Sequence, residues 1–235
     1  MTRQNWFILG TGLVLAVMVT LVSGCGPKLY NDGTYKGISQ ADDHGYAVAE
    51  VTVKGDKITA VKLTEFTQFG VEKDFNTYPY AKSKEANVEM AKRFVGRQDA
   101  NVDVVTGATN SSQKYKEAVQ FALEKAKKTP TMKSTYFEGT FFGRSKADDR
   151  GYGVAWVTIK GDKITEVRLD DVTQEGKFKD WATYPYAKAL EAKAEMEKRF
   201  VEKNGPQVDA YTGATSSSTK WIEAVNDALQ NAKLK

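Results

Sequence analysis

The chain has 235 residues, and its 34 basic and 30 acidic side chains leave a formal net charge of +4. Because both signs are interspersed along the chain, the sequence lacks the concentrated basic face that nucleic-acid binding needs, and nucleic acid is not an expected partner. With one cysteine and one histidine, the sequence offers no Cys/His set for zinc, haem or an iron–sulfur cluster.

Residues 1–24 have the pattern of a bacterial lipoprotein signal peptide. Arg3 supplies a positive charge, and the apolar run over residues 7–22 is shorter than the ~20 residues of a comfortable bilayer span. Small residues precede Cys25, the position at which such proteins are lipidated. We expect residues 25–32 to form a lipidated tether at the extracytoplasmic face of the cell membrane. An uncleaved anchor helix with an incidental cysteine is the alternative.

The rest of the chain is one unit present twice, with equivalent residues 106 positions apart, as in Thr109 and Thr215. We predict unit 1 at residues 33–128 and unit 2 at 136–235. Residues 129–135 are the predicted linker, in which Pro130 would break the preceding helix.

Within each unit the predicted strands precede the predicted helices. In unit 1, residues 47–53 alternate as in a half-buried strand, and after a tight turn residues 58–63 form the return strand of a hairpin. Helical periodicity follows over residues 81–95 and again from about 112 to 127. This order predicts an α+β fold with a small antiparallel sheet and helices in each repeat.

The sequence Thr-Gly-Ala-Thr occurs in both units, at residues 106–109 and 212–215, with Asp103 and Asp209 three positions before it. The small residues at its centre allow the backbone to turn sharply and another molecule to approach closely.

Three residues with N-cap preference, at 110–112, follow Thr109. They predict that the Thr109 hydroxyl stands a few residues ahead of a helix N-terminus, where free N–H groups and the helix dipole favour phosphate. The residues alone predict a phosphate or phosphoester near Thr109. A plain turn and capping sequence is the alternative reading.

Both units resemble the FMN-binding domain of the C and G subunits of the Na⁺-pumping and Rnf-type respiratory complexes. In that family Asp-x-x-(Ser/Thr)-Gly-Ala-Thr marks covalent flavinylation. The resemblance implies that a flavin transferase takes FAD, releases AMP and leaves FMN joined by a phosphoester to the last threonine of each motif. The implied site residues are Asp103, Thr106, Gly107, Ala108 and Thr109 in unit 1, and Asp209, Thr212, Gly213, Ala214 and Thr215 in unit 2.

The isoalloxazine ring of FMN needs a flat apolar or aromatic wall. The candidates are Tyr78 and Tyr184, together with Tyr80, Tyr186, Phe75 and Trp181, although ordinary core packing is the alternative for all of them. Lys82 and Lys188 could stabilise reduced, anionic flavin but are more typical of solvated lysines. The paired carboxylates at 42–43 and 148–149 favour a turn over a calcium or catalytic site.

Duplication behind a lipoprotein signal is similar to the FMN-carrying surface lipoproteins of flavin-based extracellular electron transfer in Gram-positive bacteria. That similarity implies an electron carrier without substrate chemistry of its own. Its electrons would come from a membrane NADH dehydrogenase and the quinone pool, and would pass to soluble flavin, a metal ion or an extracellular reductase. The alternatives are a donor module dedicated to one extracellular flavin-dependent reductase, a lipoprotein that binds its ligand non-covalently, and a purely structural surface protein.

Overall fold

The computed structural model describes residues 28–235, so the predicted signal peptide and Cys25 lie outside the described residues. Each unit has three strands followed by two helices. In unit 1 these are β1 (Gly33–Ile38), β2 (Tyr46–Lys54), β3 (Lys57–Phe66), α1 (Ala81–Arg97) and α2 (Thr109–Ala126). In unit 2 they are β4 (Gly139–Arg144), β5 (Tyr152–Lys160), β6 (Lys163–Val172), α3 (Ala187–Lys203) and α4 (Thr215–Ala232). The predicted α+β fold with two similar units is confirmed.

Each sheet is antiparallel, and its strands are hydrogen-bonded in chain order, β1-β2-β3 and β4-β5-β6. The predicted hairpin is β2–β3. The sequence pattern did not predict β1, because two of the six residues of this strand are glycines, Gly33 and Gly37. Gly37 is needed where it is: a Cβ there would lie 1.9 Å from the carbonyl oxygen of Ala118 on α2. The helix therefore packs directly on the backbone of β1.

The helices cover one face of each sheet. In unit 1 the alternate β2 residues Ala47, Ala49, Val51 and Val53 are buried against Met90 and Phe94 of α1 and Ala118 and Ala122 of α2. Burial of this apolar surface is the main favourable contribution to folding. Unit 2 repeats the arrangement on β5, α3 and α4.

The other faces of the two sheets pack against each other. Tyr46 of β2 stacks on Phe66 at 4.9 Å between ring centroids and lies 5.3 Å from Phe142 of β4. Trp156 of β5 continues the cluster at 5.2 Å from Phe142. The molecule thus has four layers, helices–sheet–sheet–helices, with a third apolar cluster between the units.

The segment between the units is held in place by a buried carboxylate. Glu124, near the end of α2, accepts hydrogen bonds from the backbone N–H groups of Thr131 and Met132 at 2.5 and 2.9 Å. Phe121, one turn earlier, stacks on Phe137 of unit 2 at 4.0 Å. Among the described residues, no helix is long and apolar enough to cross a membrane.

Candidate functional site

Helix α2 begins at Thr109 itself, and α4 at Thr215. Ala108 is the N-cap residue, and its carbonyl accepts the first helical hydrogen bond from Ser112 at 2.9 Å. The expectation that residues 110–112 cap the helix, with Thr109 a few residues ahead of it, was therefore wrong. Ser112 is fully buried, and its hydroxyl accepts a hydrogen bond from the N–H of Val105 at 3.1 Å. It fastens the preceding loop to the helix and does not cap it.

Among the described residues, no side-chain hydrogen bond caps the N-terminus of α2 or α4, where the N-cap residues are Ala108 and Ala214. The first N–H groups of an α-helix have no partner inside the helix, so an uncapped N-terminus favours an anion. Thr109 and Thr215 occupy the first helical position and are exposed. Each hydroxyl is consequently presented to solvent where a phosphate is favoured.

The motif glycines make the turn before these helices. Gly107 and Gly213 have φ values of 84° and 88°, a left-handed conformation that glycine adopts without steric cost. The hydroxyl of Tyr80 donates a hydrogen bond to the carbonyl of Gly107, and Tyr186 does the same to Gly213 at 2.7 Å. These tyrosines, which the sequence suggested for a ring wall, fix the backbone of the motif.

Thr109 lines a cleft of about 380 Å³ in unit 1, which we call cleft 1. Its walls come from the N-terminal turn of α2, the end of β3, the segment between β3 and α1, and the loop before β2. The side chains that line it include Tyr78, Lys73, Glu65, Lys114, Ser111 and His44.

Unit 2 has an equivalent cleft of about 450 Å³, cleft 2, beside Thr215. Its lining includes Ser216, directly after Thr215, and the counterparts of the side chains above: Tyr184, Lys179, Asp171, Lys220, Ser217 and Arg150. The predicted wall residues Tyr78 and Tyr184 therefore lie in equivalent clefts beside the two threonines.

A buried ion pair lies in cleft 1. The Lys73 ammonium is 2.5 Å from Glu65, and the two side chains are 6% and 2% exposed. Glu65 also accepts hydrogen bonds from Ser111 at 3.1 Å and from the hydroxyl of Tyr115 at 3.0 Å. Burial, assisted by the Glu65 carboxylate, raises the pKa of Tyr115, so its hydroxyl remains a donor. The ammonium also lies 4.7 Å from the ring centroid of Tyr78.

The equivalent ion pair in cleft 2, Lys179 with Asp171, receives fewer hydrogen bonds than the pair in cleft 1. Lys179 is 3.2 Å from Asp171, and Ser217 donates to the same carboxylate at 3.3 Å. Trp221 replaces the tyrosine and donates its indole N–H to the carbonyl of Asp170 at 3.2 Å. As a result, the second carboxylate oxygen of Asp171 is buried with no partner among the described residues.

A second lysine enters each cleft from the helix. Lys114 of α2 lies 2.6 Å from Asp42, and Lys220 of α4 lies 2.6 Å from Asp148. Asp42 also accepts a hydrogen bond from the N–H of His44 at 2.8 Å. Burial acts to raise the pKa of Asp42, but these two hydrogen bonds outweigh it and lower the pKa. The paired carboxylates do form a turn, and one of each pair also binds a cleft lysine.

A family model for the FMN-binding domain matches residues 44–124 and 151–230, which together are more than half of the chain. The chain belongs to the FMN-binding domain family. It is a flavoprotein with two tandem FMN-binding domains, as the resemblance of both units predicted.

Among solved structures, the CPE2226 protein from Clostridium perfringens is 31% identical in sequence, over 42% of this chain and 89% of that chain, with a TM-score of 0.37. No curated protein matches the chain.

The clefts of the two FMN-binding domains fit the chemical groups of FMN. The uncapped helix N-terminus and the two cleft lysines suit its phosphate and any negative charge on its ring, and the tyrosine suits an aromatic system. Within residues 28–235 no group of three or more His, Cys, Asp or Glu side chains could hold a metal ion. Lys82, in contrast, is half exposed and pairs with Glu85 at 2.6 Å on the surface.

The leading aspartate of each motif lies apart from the cleft. Asp103 is exposed in a separate hollow with Arg93, which donates a hydrogen bond to the Asp103 carbonyl at 2.8 Å. Arg199 holds the carbonyl of Asp209 in the same way at 3.1 Å. Each arginine therefore positions the backbone ahead of the motif, and each carboxylate is left at the surface. Thr106 and Thr212 are likewise exposed.

Sequence reasoning missed the cleft lysines and the buried acids. The available signal was their recurrence 106 positions apart, as Lys73 with Lys179 and Lys114 with Lys220. Recurrence alone does not distinguish a cleft residue from a surface residue, because many lysines recur in this duplicated chain.

Proposed function

We propose that this protein is a membrane-anchored, extracytoplasmic electron carrier that holds two FMN groups, each joined by a phosphoester to Thr109 or Thr215. The observation that carries the proposal is the position of these threonines. Each is exposed at the first position of an uncapped helix, beside a cleft in a domain of the FMN-binding family. In each case the hydroxyl oxygen would replace one oxygen of the FMN phosphate.

Bound FMN supplies the ability to take up and give back one or two electrons. The protein's own groups would hold the phosphate at the helix N-terminus and place the buried lysine beside the ring. A positive charge there stabilises negative charge on the reduced ring. Tyr80, Tyr184 and Tyr186 are 49%, 40% and 46% exposed, so both clefts open to solvent and donors and acceptors can approach.

The partners belong to the same proposal. A flavin transferase would attach the FMN groups, a membrane NADH dehydrogenase and the quinone pool would donate electrons, and soluble flavin, a metal ion or an extracellular reductase would accept them. Lipid on Cys25 would hold the protein at the extracytoplasmic face. The support is the signal-peptide pattern of residues 1–24.

Two alternatives share the FMN-binding domains. In one, the protein donates electrons to a single extracellular flavin-dependent reductase, and activity would depend strictly on that reductase. In the other, FMN is bound without a covalent bond, and the colour would be lost on denaturation.

The deciding experiment is the intact mass of the denatured protein, produced with and without a co-expressed flavin transferase. We expect two increments of FMN minus water with the transferase. We expect one of them in Thr109→Ala and in Thr215→Ala, and none in the double variant. Thr109→Ser keeps a hydroxyl, so a fraction of its molecules should carry the second FMN increment that Thr109→Ala lacks.

Thr219→Ala is the matched control, because Thr219 is an exposed threonine one turn further along α4. It should keep both increments. Retention of both by the Thr109→Ala/Thr215→Ala double variant would overturn the attachment sites, and no increment in the parent protein would favour non-covalent binding. Mass analysis of the mature N-terminus, with Cys25→Ala as the control, tests the lipid anchor.

A further inference from the structure

The segment after β3 carries two cleft residues on a short hairpin. The N–H of Lys73 donates to the carbonyl of Glu65 at 2.8 Å, and Phe66 pairs with Glu72, so the β3 ladder continues beyond the strand. A tight turn at residues 67–71 closes this hairpin, with Gly70 at φ 68°. We call residues 65–73 hairpin 1. Its position sets where Lys73 lies in cleft 1.

The tip of hairpin 1 is held by unit 2. The hydroxyl of Tyr152 donates to the carbonyl of Phe69 at 2.9 Å, and the guanidinium of Arg144 donates to the carbonyl of Gly70 at 3.0 Å. The Arg144 guanidinium stacks on Tyr152 at 4.0 Å from the ring centroid, so the two donors support each other. The Phe69 ring packs on Phe178 at 4.6 Å.

The equivalent hairpin of unit 2, residues 171–179, has the same ladder, but its tip is bonded within its own unit, where the Gln174 amide donates to the carbonyl of Asp149. Its N–H of Lys179 donates to the carbonyl of Asp171 at 2.9 Å. Its tip residues Glu175 and Gly176 are exposed, and a Cβ added at Gly176 would meet nothing within 4 Å. In contrast, a Cβ at Gly70 would lie 2.6 Å from Phe142 of unit 2.

The sequence encodes this asymmetry at the positions that make the contact. Phe69 corresponds to Glu175, and Arg144 corresponds to Ile38. Tyr152 does have a tyrosine counterpart, Tyr46, but that side chain is buried between Phe66 and Phe142. Among the described residues, unit 1 therefore provides no matching pair of donors for the hairpin of unit 2.

We propose that Arg144 and Tyr152 of unit 2 are positioning residues for cleft 1. Among the described residues, unit 1 gives the hairpin of cleft 2 no such pair of hydrogen bonds. The two cross-unit hydrogen bonds hold the turn of hairpin 1, and through its ladder they hold Lys73 against Glu65. The potential of the flavin in unit 1 then depends on the two hydrogen bonds that dock hairpin 1. The hairpin beside the flavin of unit 2 touches unit 1 through the Phe178 ring and receives no such pair of hydrogen bonds from the described residues of unit 1. The predicted effect on the flavin potential rests on the function proposed above. The predicted effect on the mobility of hairpin 1 does not depend on it.

Hydrogen–deuterium exchange on the flavin-free protein tests the hairpin first. Arg144→Ile installs the residue that unit 1 has at this position, and Tyr152→Phe removes only a hydroxyl. In the double variant, loss of two hydrogen bonds should speed exchange of the residue 67–73 amides by about tenfold or more. Exchange of residues 173–176 should not change, because the hydrogen bonds of this tip lie within unit 2. Tyr46→Phe is the matched control and should leave both hairpins as they are.

The midpoint potential of each flavin tests the consequence. The Thr215→Ala background keeps flavin 1 alone, and the Thr109→Ala background keeps flavin 2 alone. With Arg144→Ile and Tyr152→Phe, the potential of flavin 1 should fall because Lys73 is held less firmly beside the ring, and that of flavin 2 should not move. Arg144→Lys retains a donor and should recover part of the shift.

Unchanged exchange of residues 67–73, or an equal change in both hairpins, would overturn the proposal. Equal shifts of the two potentials would do the same. If the double variant fails to fold, Tyr152→Phe alone decides, because it keeps the ring and its packing. A protein that never acquires covalent flavin would contradict the proposed function and leave the exchange result to decide this inference.

Discussion

Lys73 and Glu65 form an ion pair of 2.5 Å beside an open cleft, yet the two side chains are 6% and 2% exposed. Ser111 and Tyr115 donate to the remaining acceptor positions of the carboxylate. A buried pair of this kind is tolerated because its charges and lone pairs are satisfied. It gives cleft 1 a fixed cation that solvent cannot easily screen.

Glu65→Gln should therefore destabilise the protein strongly, because it leaves the Lys73 charge buried without its partner. We expect a loss of about 3–5 kcal/mol in the free energy of unfolding, measured by urea denaturation at neutral pH. The control is Glu50→Gln, which breaks a surface pair with Lys62 of 3.3 Å and should cost less than about 1 kcal/mol. Comparable losses in the two variants would contradict this account of the pair.

The duplication, the order of strands before helices and the nearness of Thr109 to a helix N-terminus could be predicted from the sequence, but not that the helix begins at this threonine. Apolar alternation in β2 and helical periodicity in α1 depend on local residues, and these predictions agree with the structure. The start of α2 was misplaced because three successive residues, 110–112, all suit an N-cap. The choice among such residues depends on how the preceding loop folds back, because the Ser112 hydroxyl accepts its hydrogen bond from the N–H of Val105 in that loop.

The cleft and the contact between the units could not be predicted in the same way. Lys73 and Lys114 come from different elements, and only the fold brings them to one cleft. Tyr46 and Trp156 alternate with residues that face the helices, and a strand pattern does not say what covers its second face. Here the second face is covered by the other unit, which adds the Arg144 contact to hairpin 1.

Stability at acid pH should depend on Glu124. Burial acts to raise its pKa, but hydrogen bonds from Lys127, the N–H of Met132 and Thr131 outweigh it and hold the pKa at about 2, against 4.5 for the free group. A pKa that is lower in the folded state gives stability that is present above pH 4.5 and lost as pH falls toward 2. The free energy of unfolding of the parent should therefore decrease across this window.

Glu124→Gln removes this titration. The free energy of unfolding of this variant should therefore decrease less steeply over the same pH range than that of the parent. The measurement is chemical denaturation at several pH values between 5 and 2, with the slopes of the two proteins compared. Other carboxylates titrate in both proteins, so only the difference in slope reports on Glu124. Identical slopes would show that the hydrogen bonds to Glu124 do not hold its pKa down.

Gly107→Ala should cost stability through the backbone alone. The φ of Gly107 is 84°, and a left-handed conformation costs an alanine about 1–2 kcal/mol. The nearest atom to an added Cβ would be the Tyr80 hydroxyl at 3.6 Å, an ordinary contact, so no clash contributes. Gly96→Ala is the control, because Gly96 is helical with nothing within 4 Å, and should be neutral or stabilising by up to about 1 kcal/mol. Thermal unfolding of both variants tests this, and a Gly107→Ala variant no less stable than Gly96→Ala would refute it.

Trp156 and Val157 are neighbours in β5 whose side chains face opposite sides of the sheet. One lies in the apolar cluster between the units and the other in the core of unit 2. Trp156 packs in the cluster between the units, with the Arg168 guanidinium 3.7 Å from its ring centroid, and Val157 packs against the helices of unit 2. The indole N–H of Trp156 has no partner among residues 28–235, so truncation removes packing and no hydrogen bond. Trp156→Ala should cost about 3–5 kcal/mol.

The location of the damage distinguishes the two positions. Trp156→Ala should speed amide exchange at residues 46–48 of unit 1, because their partner surface is lost. Val157→Ala should weaken unit 2 and leave exchange at 46–48 unchanged. Both effects are read by hydrogen–deuterium exchange under native conditions. Equal exchange at 46–48 in the two variants would mean that the units are coupled through the linker and Phe121, and that the face-to-face sheets contribute little to holding unit 1.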